Sequence, residues 1–332
     1  MKLDNIIKKT SDKISLTTEE SEILFQEIMN GKLSENDLKK ILVNLADKGE
    51  SIEEITGGAK ILRKKSKKVS VKGDLIDTCG TGGDGKNTIN ISTASALIIA
   101  SMGHKVAKHG NRAISSKSGS ADVLEFLNID IGLSPQEVEN SIKKHNFAFM
   151  FAPNYHAAMK HVANARKELK RRTIFNLLGP LCNPANVNRQ CIGVFSLDIL
   201  EKYIKVLKNL NTLKAWVFHS YDGLDEISIF EKTKVYELKD DKINSFEIDP
   251  TEFIKEKYNF TEIIGGDAKY NSKKILDVFN GKKGALLEMI SLNVAAGLIV
   301  LDQFSELIDS YQFAKKHIMS GKVSTYYNSI KK

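Results

Sequence analysis

Cysteine is scarce in this chain. Cys79, Cys182 and Cys191 are the only three among 332 residues. An odd, sparse set makes no disulfide framework, and no Cys-x-x-Cys pair offers a zinc knuckle. Proline is scarcer for its weight: five residues exclude a proline-rich linker protein, and the 22 glycines follow no collagen period. Long apolar runs are missing too. Residues 94–103 and 294–301 fall far short of the roughly 20 residues that span a bilayer. The opening MKLDNIIKKT has no apolar core of signal-peptide length. Together these absences lead us to expect a reduced, soluble, cytoplasmic protein.

What is present is ordinary for a globular chain: 42% hydrophobic and 27% charged residues. At roughly 100–200 residues per domain, the length suggests about two domains. Lys and Arg number 49 against 41 Asp and Glu, a net +8 that favours an anionic partner without saying which.

The first 70 residues read as short helices with capping-box starts, in which a side-chain oxygen takes an orphan N–H and a carboxylate three residues on reaches back. Thr17 with Glu20, Ser34 with Asp37, and Ser51 with Glu54 are those starts, and Gly31 and Gly49 end the first two helices. Leu38, Ile41, Leu42 and Leu45 form the stripe of a helix buried on one face. The basic run RKKSKK at 63–68 reads as a helix end, because no aromatic residues interleave to stack bases. From Asp74 the pattern changes to short apolar runs alternating with helical stretches. Residues 75–76, 105–107, 147–151, 191–195 and 215–218 read as buried strands, which argues for an α/β domain with a mostly parallel sheet. Residues 234–248 alternate around KDDK and predict a β-hairpin. The expected division is a helical domain at 1–70 and an α/β domain at 71–332.

The most informative segment is 77–95, DTCGTGGDGKNTINISTAS, between a predicted strand and a predicted helix. Gly80, Gly82, Gly83 and Gly85 let the backbone turn tightly and press its N–H groups against a ligand. Such an entry binds anions through free N–H groups and the helix dipole. Asn90, Ser92 and Thr93 add neutral donors. The segment is neither a Walker loop nor a dinucleotide fingerprint, so phosphate or diphosphate binding is the reading it supports. The segment 108–122, KHGNRAISSKSGSAD, repeats the strand-to-helix setting with Lys108, Arg112 and Lys117 as cations and Ser115, Ser116, Ser118 and Ser120 as small donors. In an open α/β sheet two such loops meet at the carboxyl ends of strands, where ligands bind. The adjacent acids Asp225 and Glu226 suit Mg²⁺ if a diphosphate lies nearby. His156 and Arg166 are candidates for binding an aromatic acid, Arg166 by pairing with a carboxylate. His156 and His161 lie five residues apart and make no His-Glu-x-x-His zinc site.

In order along the chain, GTGGDGKNTINIST at 80–93, KHGNRAISS at 108–116, GSADVL at 119–124, RTIFNLLGPLCNP at 172–184 and GLDEIS at 223–228 closely resemble the anthranilate phosphoribosyltransferases, as does the KGES-x-EEI stretch at 48–55. The resemblance implies a small helical domain, with a segment near 167–184 returning to it, and a large α/β domain of the nucleoside phosphorylase and phosphoribosyltransferase type. It implies transfer of phosphoribosyl from phosphoribosyl pyrophosphate (PRPP) to the amine of anthranilate, in tryptophan synthesis, by a magnesium-dependent homodimer with no nucleic-acid or membrane partner. Carried over, Gly80, Gly83, Asp84, Thr88, Asn90, Ile91, Ser92 and Thr93 would contact PRPP. Lys108, His109, Gly110, Asn111, Arg112, Ala113, Ile114, Ser115, Ser116 and Ser120 would complete that site. Ser92, Asp225 and Glu226 would hold magnesium. Gly80, Asn111 and Arg166 would contact anthranilate, with His109 and His156 lining its path. No covalent nucleophile and no essential cysteine are expected. Asn128 and Lys170 stand where the family often has glycine. Asn tolerates a left-handed backbone well, whereas Lys170 bears on the hinge geometry just before RRTIFN. A pyrimidine nucleoside phosphorylase and a non-catalytic nucleic-acid-binding relative of the same fold are the alternatives. The KHGNR run and the acid pair fit the first poorly, and the complete phosphate and metal set argues against the second.

Overall fold

The computed structural model describes residues 3–113 and 117–332, so Ile114, Ser115 and Ser116 lie outside the described residues. Four helices come first: α1 (Leu3–Ser11), α2 (Thr18–Met29), α3 (Glu35–Lys48) and α4 (Ile52–Lys65). Thr17 and Ser51 form complete capping boxes with Glu20 and Glu54, and the Ser34 hydroxyl accepts from the Asp37 N–H. Each helix buries an apolar stripe, Leu38, Ile41, Leu42 and Leu45 on α3. The basic run ends α4 at Lys65, and the Arg63 Nε–H donates to the Leu181 carbonyl at 2.6 Å.

Seven strands follow: β1 (Ile76–Gly80), β2 (Val106–Gly110), β3 (Phe147–Phe151), β4 (Arg189–Gly193), β5 (Lys214–Ser220), β6 (Thr233–Lys239) and β7 (Lys242–Ile248). Their order in one sheet is β3-β2-β1-β4-β5-β6-β7, with β1 to β5 parallel and β6 and β7 antiparallel. The hairpin turns at Asp240 and Asp241, both with positive φ (50° and 60°). That is the two-residue turn whose twist matches flanking strands. Between strands run α5 (Ile91–Ser101), α6 (Ser120–Phe126), α7 (Pro135–His145), α8 (Ala152–Tyr155), α9 (Lys160–Leu169), α10 (Phe175–Leu178) and α11 (Leu200–Asn209). After β7 come α12 (Ala268–Phe279), α13 (Ala285–Val300), α14 (Leu307–Met319) and α15 (Lys322–Ile330). The two apolar runs of the sequence are α5 and α13. Every residue of α13 is buried, as befits a helix apolar all round. No helix among the described residues is long and apolar enough to cross a membrane.

The sheet is covered on both faces. One apolar cluster joins α5 and α12 to α15, and another joins α2 to α4 with α9 to α11. Residues 164–182 pack on the helical bundle. Phe175 meets Phe25 edge-on at 5.8 Å, Lys39 pairs with Glu168, and Arg171 reaches Asp47 at 2.6 Å.

Three strands differ from expectation in a way that matters for the site. β1 continues through Asp77, Thr78, Cys79 and Gly80, and β2 through Lys108, His109 and Gly110. Polarity in those stretches reads as loop, yet Lys108 and one oxygen of Asp77 find internal partners, so the strand persists to the edge of the cleft, with Asp77 Oδ1 and His109 Nε2 left unpartnered. The same holds for β4, which begins at Arg189 and Gln190, bonded to the carbonyls of Val300 (2.6 Å) and Pro180 (2.9 Å).

Candidate active site

The strand order reverses direction between β1 and β4. That is the switch point where open α/β sheets leave a crevice beyond the strand carboxyl ends. β1 and β4 end there in the paired residues Gly80 and Gly193. The loop after β5 lays Asp225 across both ends. A Cβ on Gly80 would stand 2.5 Å from Asp225 Oδ2, and one on Gly193 would stand 1.6 Å from the Asp225 carbonyl oxygen. At Gly193 only glycine fits, and at Gly80 a Cβ would push the Asp225 carboxylate aside.

Residues 81–90 form the glycine loop, with positive φ at Gly82, Gly83 and Gly85 (66°, 82° and 75°). The Gly82 N–H donates to Asp225 Oδ2 at 3.0 Å, and the Ser92 N–H donates to Glu226 Oε1 at 3.2 Å. The two acids thus face the glycine loop and the amino end of α5. Burial, and repulsion from Asp84, push the Asp225 carboxyl well up. Burial and the Asp225 charge do the same to Glu226, and Lys108 opposes both effects only in part. Crowded carboxylates short of cations are what a divalent ion relieves. Among the described residues no three of His, Cys, Asp and Glu form a metal cage. Magnesium does not need one, since it usually takes one or two carboxylates together with water and ligand phosphate. The oxygen donors of Asp225, Glu226 and Ser92 therefore fit that ion.

Lys108 is buried (1% exposed); its ammonium donates to the Thr78 carbonyl and lies 3.5 Å from Ser92 Oγ. Thr88 pairs with Ile264, and Ile91 and Thr93 are fully buried on α5. Asn90 sits at the N-cap without capping the helix through its side chain. Gly110, Asn111 and Ala113 continue from β2 towards Ser120, which opens α6. Arg112 behaves differently from a phosphate-seeking cation. Its guanidinium pairs with Asp122 (2.8 Å) and bidentately with Glu125 (2.6 and 2.7 Å).

His109 and His156 are brought together with ring centroids 5.0 Å apart. Both are buried, and neither Nε2 has a hydrogen-bond partner. Burial lowers their pKa values to about 3 and about 4. Arg166 stacks over Phe175 at 5.5 Å, with burial lowering its pKa, and no carboxylate among the described residues pairs with it. Lys170 follows with φ 49°, and Asn128 has φ 53°: both positions do adopt the left-handed backbone for which glycine is the usual choice. All three cysteines are buried and their thiols are pushed up by desolvation, Cys182 to about 12, which leaves no thiolate for nucleophilic work.

Three groups at the site escaped the sequence reading. Arg172 lies 3.6 Å over the Phe195 ring and donates to the Gly83 carbonyl. Asp77, fully buried with its pKa raised to about 6 by desolvation, accepts from Asn183 at 2.8 Å and from the His109 N–H at 3.4 Å. Asn271 reaches Asn90 from α12. Arg172 stood at the head of RTIFN and Asp77 at the head of the glycine segment; Asn271 carried no signal, because its partners are distant in sequence. A cavity of about 570 Å³ lies elsewhere, beside Trp216, Phe246, Phe304 and Leu307 near the amino end of β5, away from the glycine loop and the acids.

Residues 72–324 match the α/β domain of a glycosyl transferase family, and residues 4–66 match its helical bundle domain. The chain is 52% identical to an anthranilate phosphoribosyltransferase of Pelagibacter ubique, over 98% of this chain and 97% of that one. It is 48% identical to that of Petrotoga mobilis, over 93% and 90%. Among solved structures, anthranilate phosphoribosyltransferase of Thermus thermophilus superposes with a TM-score of 0.92 at 34% identity, covering 98% of each chain. The Saccharomyces cerevisiae enzyme in complex with PRPP and Mg gives 0.91 at 25% identity, covering 99% of this chain and 96% of that one. Helical bundle, switched parallel sheet, glycine loop and facing acid pair thus coincide with similarity along nearly the whole length, and the chain belongs to the anthranilate phosphoribosyltransferase family.

Proposed function

We propose that this chain transfers the 5-phosphoribosyl group of PRPP to the amine of anthranilate, giving N-(5-phosphoribosyl)anthranilate and pyrophosphate in tryptophan synthesis. The observation that carries the proposal is the acid pair Asp225 and Glu226 facing the glycine loop at the switch point of the sheet. Gly80, Gly83, Asp84, Thr88 and residues 90–93 take one side of PRPP. Lys108, His109, Gly110, Asn111, Ala113 and Ser120 take the other. Ile114, Ser115 and Ser116 belong to the same set but lie outside the described residues. Arg112 contributes through its backbone while its guanidinium stays with Asp122 and Glu125. Ser92, Asp225 and Glu226 would hold Mg²⁺, which when bound would neutralise charge building on the leaving pyrophosphate.

As the bond from C1 to pyrophosphate lengthens, the ribose gains positive charge and the leaving group negative charge. N–H groups of the glycine loop and of the amino end of α5 would act as fixed dipoles toward that anion, and such dipoles cost no reorganisation at the moment of reaction. The Lys108 ammonium, anchored on the Thr78 carbonyl, lies beneath that loop. Arg166 and Asn111 orient the anthranilate carboxylate. The buried neutral pair His109 and His156 walls the approach without adding charge. The arylamine is neutral and needs no base before attack, so holding it in line carries much of the barrier, up to ~7–11 kcal/mol.

The helical bundle at 1–70, with residues near 167–184, forms the wall opposite the α/β domain of 71–332. Exposed Ile14 and Ile23 on the bundle supply apolar area for a homodimer. Buried, unpaired thiols suit a reducing cytoplasm. Nothing in the site favours a nucleoside phosphorylase or a nucleic-acid-binding relative. The test is fluorimetric: anthranilate emission should fall when protein, Mg²⁺ and PRPP are all present and hold steady when any is omitted. Steady emission in the complete mixture would overturn the proposal.

A further inference from the structure

Two asparagine side chains run in series between the amino end of α12 and the second ligand loop. The Gly266 N–H donates to Asn271 Oδ1 at 2.8 Å. Asn271 Nδ2 donates to Asn90 Oδ1 at 2.9 Å, and Asn90 Nδ2 donates to the Ser118 carbonyl at 3.1 Å. A backbone donor stands at one end and a backbone acceptor at the other. Only one orientation of both amides satisfies every link, so the ends dictate which way each amide faces. Asn271 is 1% exposed, and a flipped amide there would leave buried polar atoms opposed.

The same region is tied to the glycine loop through the backbone. The Gly265 N–H donates to the Asn87 carbonyl at 2.7 Å, and the Ile89 N–H donates to the Ile263 carbonyl at 2.9 Å. A Cβ at Gly265 would come within 2.6 Å of the Thr88 carbonyl oxygen, so the approach is as close as backbone permits. Asn90 occupies the N-cap of α5, where its side chain would ordinarily turn back onto the helix N–H groups. Here it is drawn away, towards Asn271 and Ser118, and makes no cap bond. The amino end of α5 is thereby left to other acceptors.

We propose that Asn271 is a positioning residue for PRPP: through Asn90 it fixes the spacing of the two ligand loops and keeps the Asn90 amide off the helix end. This rests on the transferase reading above. Asn271 itself touches no reacting atom.

The test is a double-mutant cycle read in PRPP KM, kcat and calorimetric PRPP affinity. Asn271→Asp is nearly isosteric, replaces the donor with an acceptor and faces it to Asn90 Oδ1. It should raise the PRPP KM and weaken PRPP binding about tenfold, with kcat and the anthranilate KM changed much less, as loss of one buried hydrogen bond allows. In an Asn90→Ala background the same substitution should change the PRPP KM less than about twofold, because the two residues act as one unit. An unchanged KM in the single variant, or the same factor in both backgrounds, overturns the inference. Should Asn271→Asp fail to fold, Asn271→Ser cuts the chain without a charge and is held to the same two outcomes. An inactive wild-type protein would instead refute the transferase reading, so the two failures are distinct.

Discussion

Asp225 and Glu226 meet the glycine loop with raised pKa values because burial, the Asp84 charge beside Asp225 and the Asp225 charge beside Glu226 disfavour their charged forms. Replacing either carboxylate by its amide, Asp225→Asn or Glu226→Gln, relieves that repulsion but removes an anionic oxygen from the metal set. Steady-state kinetics should show turnover reduced on the order of 10²-fold and a higher magnesium requirement. Normal kinetics in both variants would remove the metal assignment. The histidine pair gives a second residue-scale expectation. His156 titrates near 4 in the folded protein against an ordinary value of 6.5. Its folded pKa is depressed, so the unfolded chain takes up a proton first, and stability is lost as pH falls from 6.5 towards 4. The loss is about 2 kcal/mol at pH 5. Asp77 works in the opposite sense: its folded pKa is raised to about 6, and it returns stability over part of the same range. Denaturant unfolding of His156→Gln beside the parent isolates the histidine. The variant should lose about 2 kcal/mol less between pH 7 and pH 5, and identical losses would contradict the burial argument. At this scale the sequence displayed the acids and histidines openly. It could not display that Arg112 turns to Asp122 and Glu125, or that Asn183 bridges Asp77 to the Ala107 carbonyl. Those pairings join residues brought together only by the sheet.

Elements in this chain follow local signals closely where the signals are local. Thr17, Ser34 and Ser51 start their helices through bonds spanning three residues, and such bonds are written in the sequence. Ser51→Ala should cost about 1 kcal/mol in thermal or urea unfolding. A change within a few tenths would show that tertiary packing alone fixes the start of α4. The KDDK turn was equally legible, because two successive left-handed residues suit Asp and the strand twist together. Strand ends were less so. Asp77, Lys108, Arg189 and Gln190 are polar residues inside or at the ends of strands, each bonded to groups distant in sequence, and no local pattern announces that.

For the whole molecule, the bundle and the α/β domain share more than a hinge. A single apolar cluster runs from Ile6 on α1 to Val217 on β5, while the ion pairs that tie residues 164–182 to the first helices, such as Arg171 with Asp47, are largely exposed. Exposed pairs contribute little, roughly 0–1 kcal/mol each, so the apolar cluster is what couples the parts. Calorimetry should therefore record one unfolding transition, and two well-separated transitions would contradict a shared core. Two domains were expected from length and from the change of pattern at Asp74. A return to the bundle near residues 167–184 was expected from resemblance alone, since no composition shift marks it. The cleft was likewise invisible to local pattern, because it arises from strand order, and strand order reverses between β1 and β4.

The most direct measurement is a crystal structure of this protein grown with PRPP and magnesium. The account predicts the sugar's pyrophosphate held between residues 80–93 and 108–120, with the metal on the side of Asp225 and Glu226. PRPP seated away from the ends of β1 and β4, or metal bound without those two acids, would contradict it.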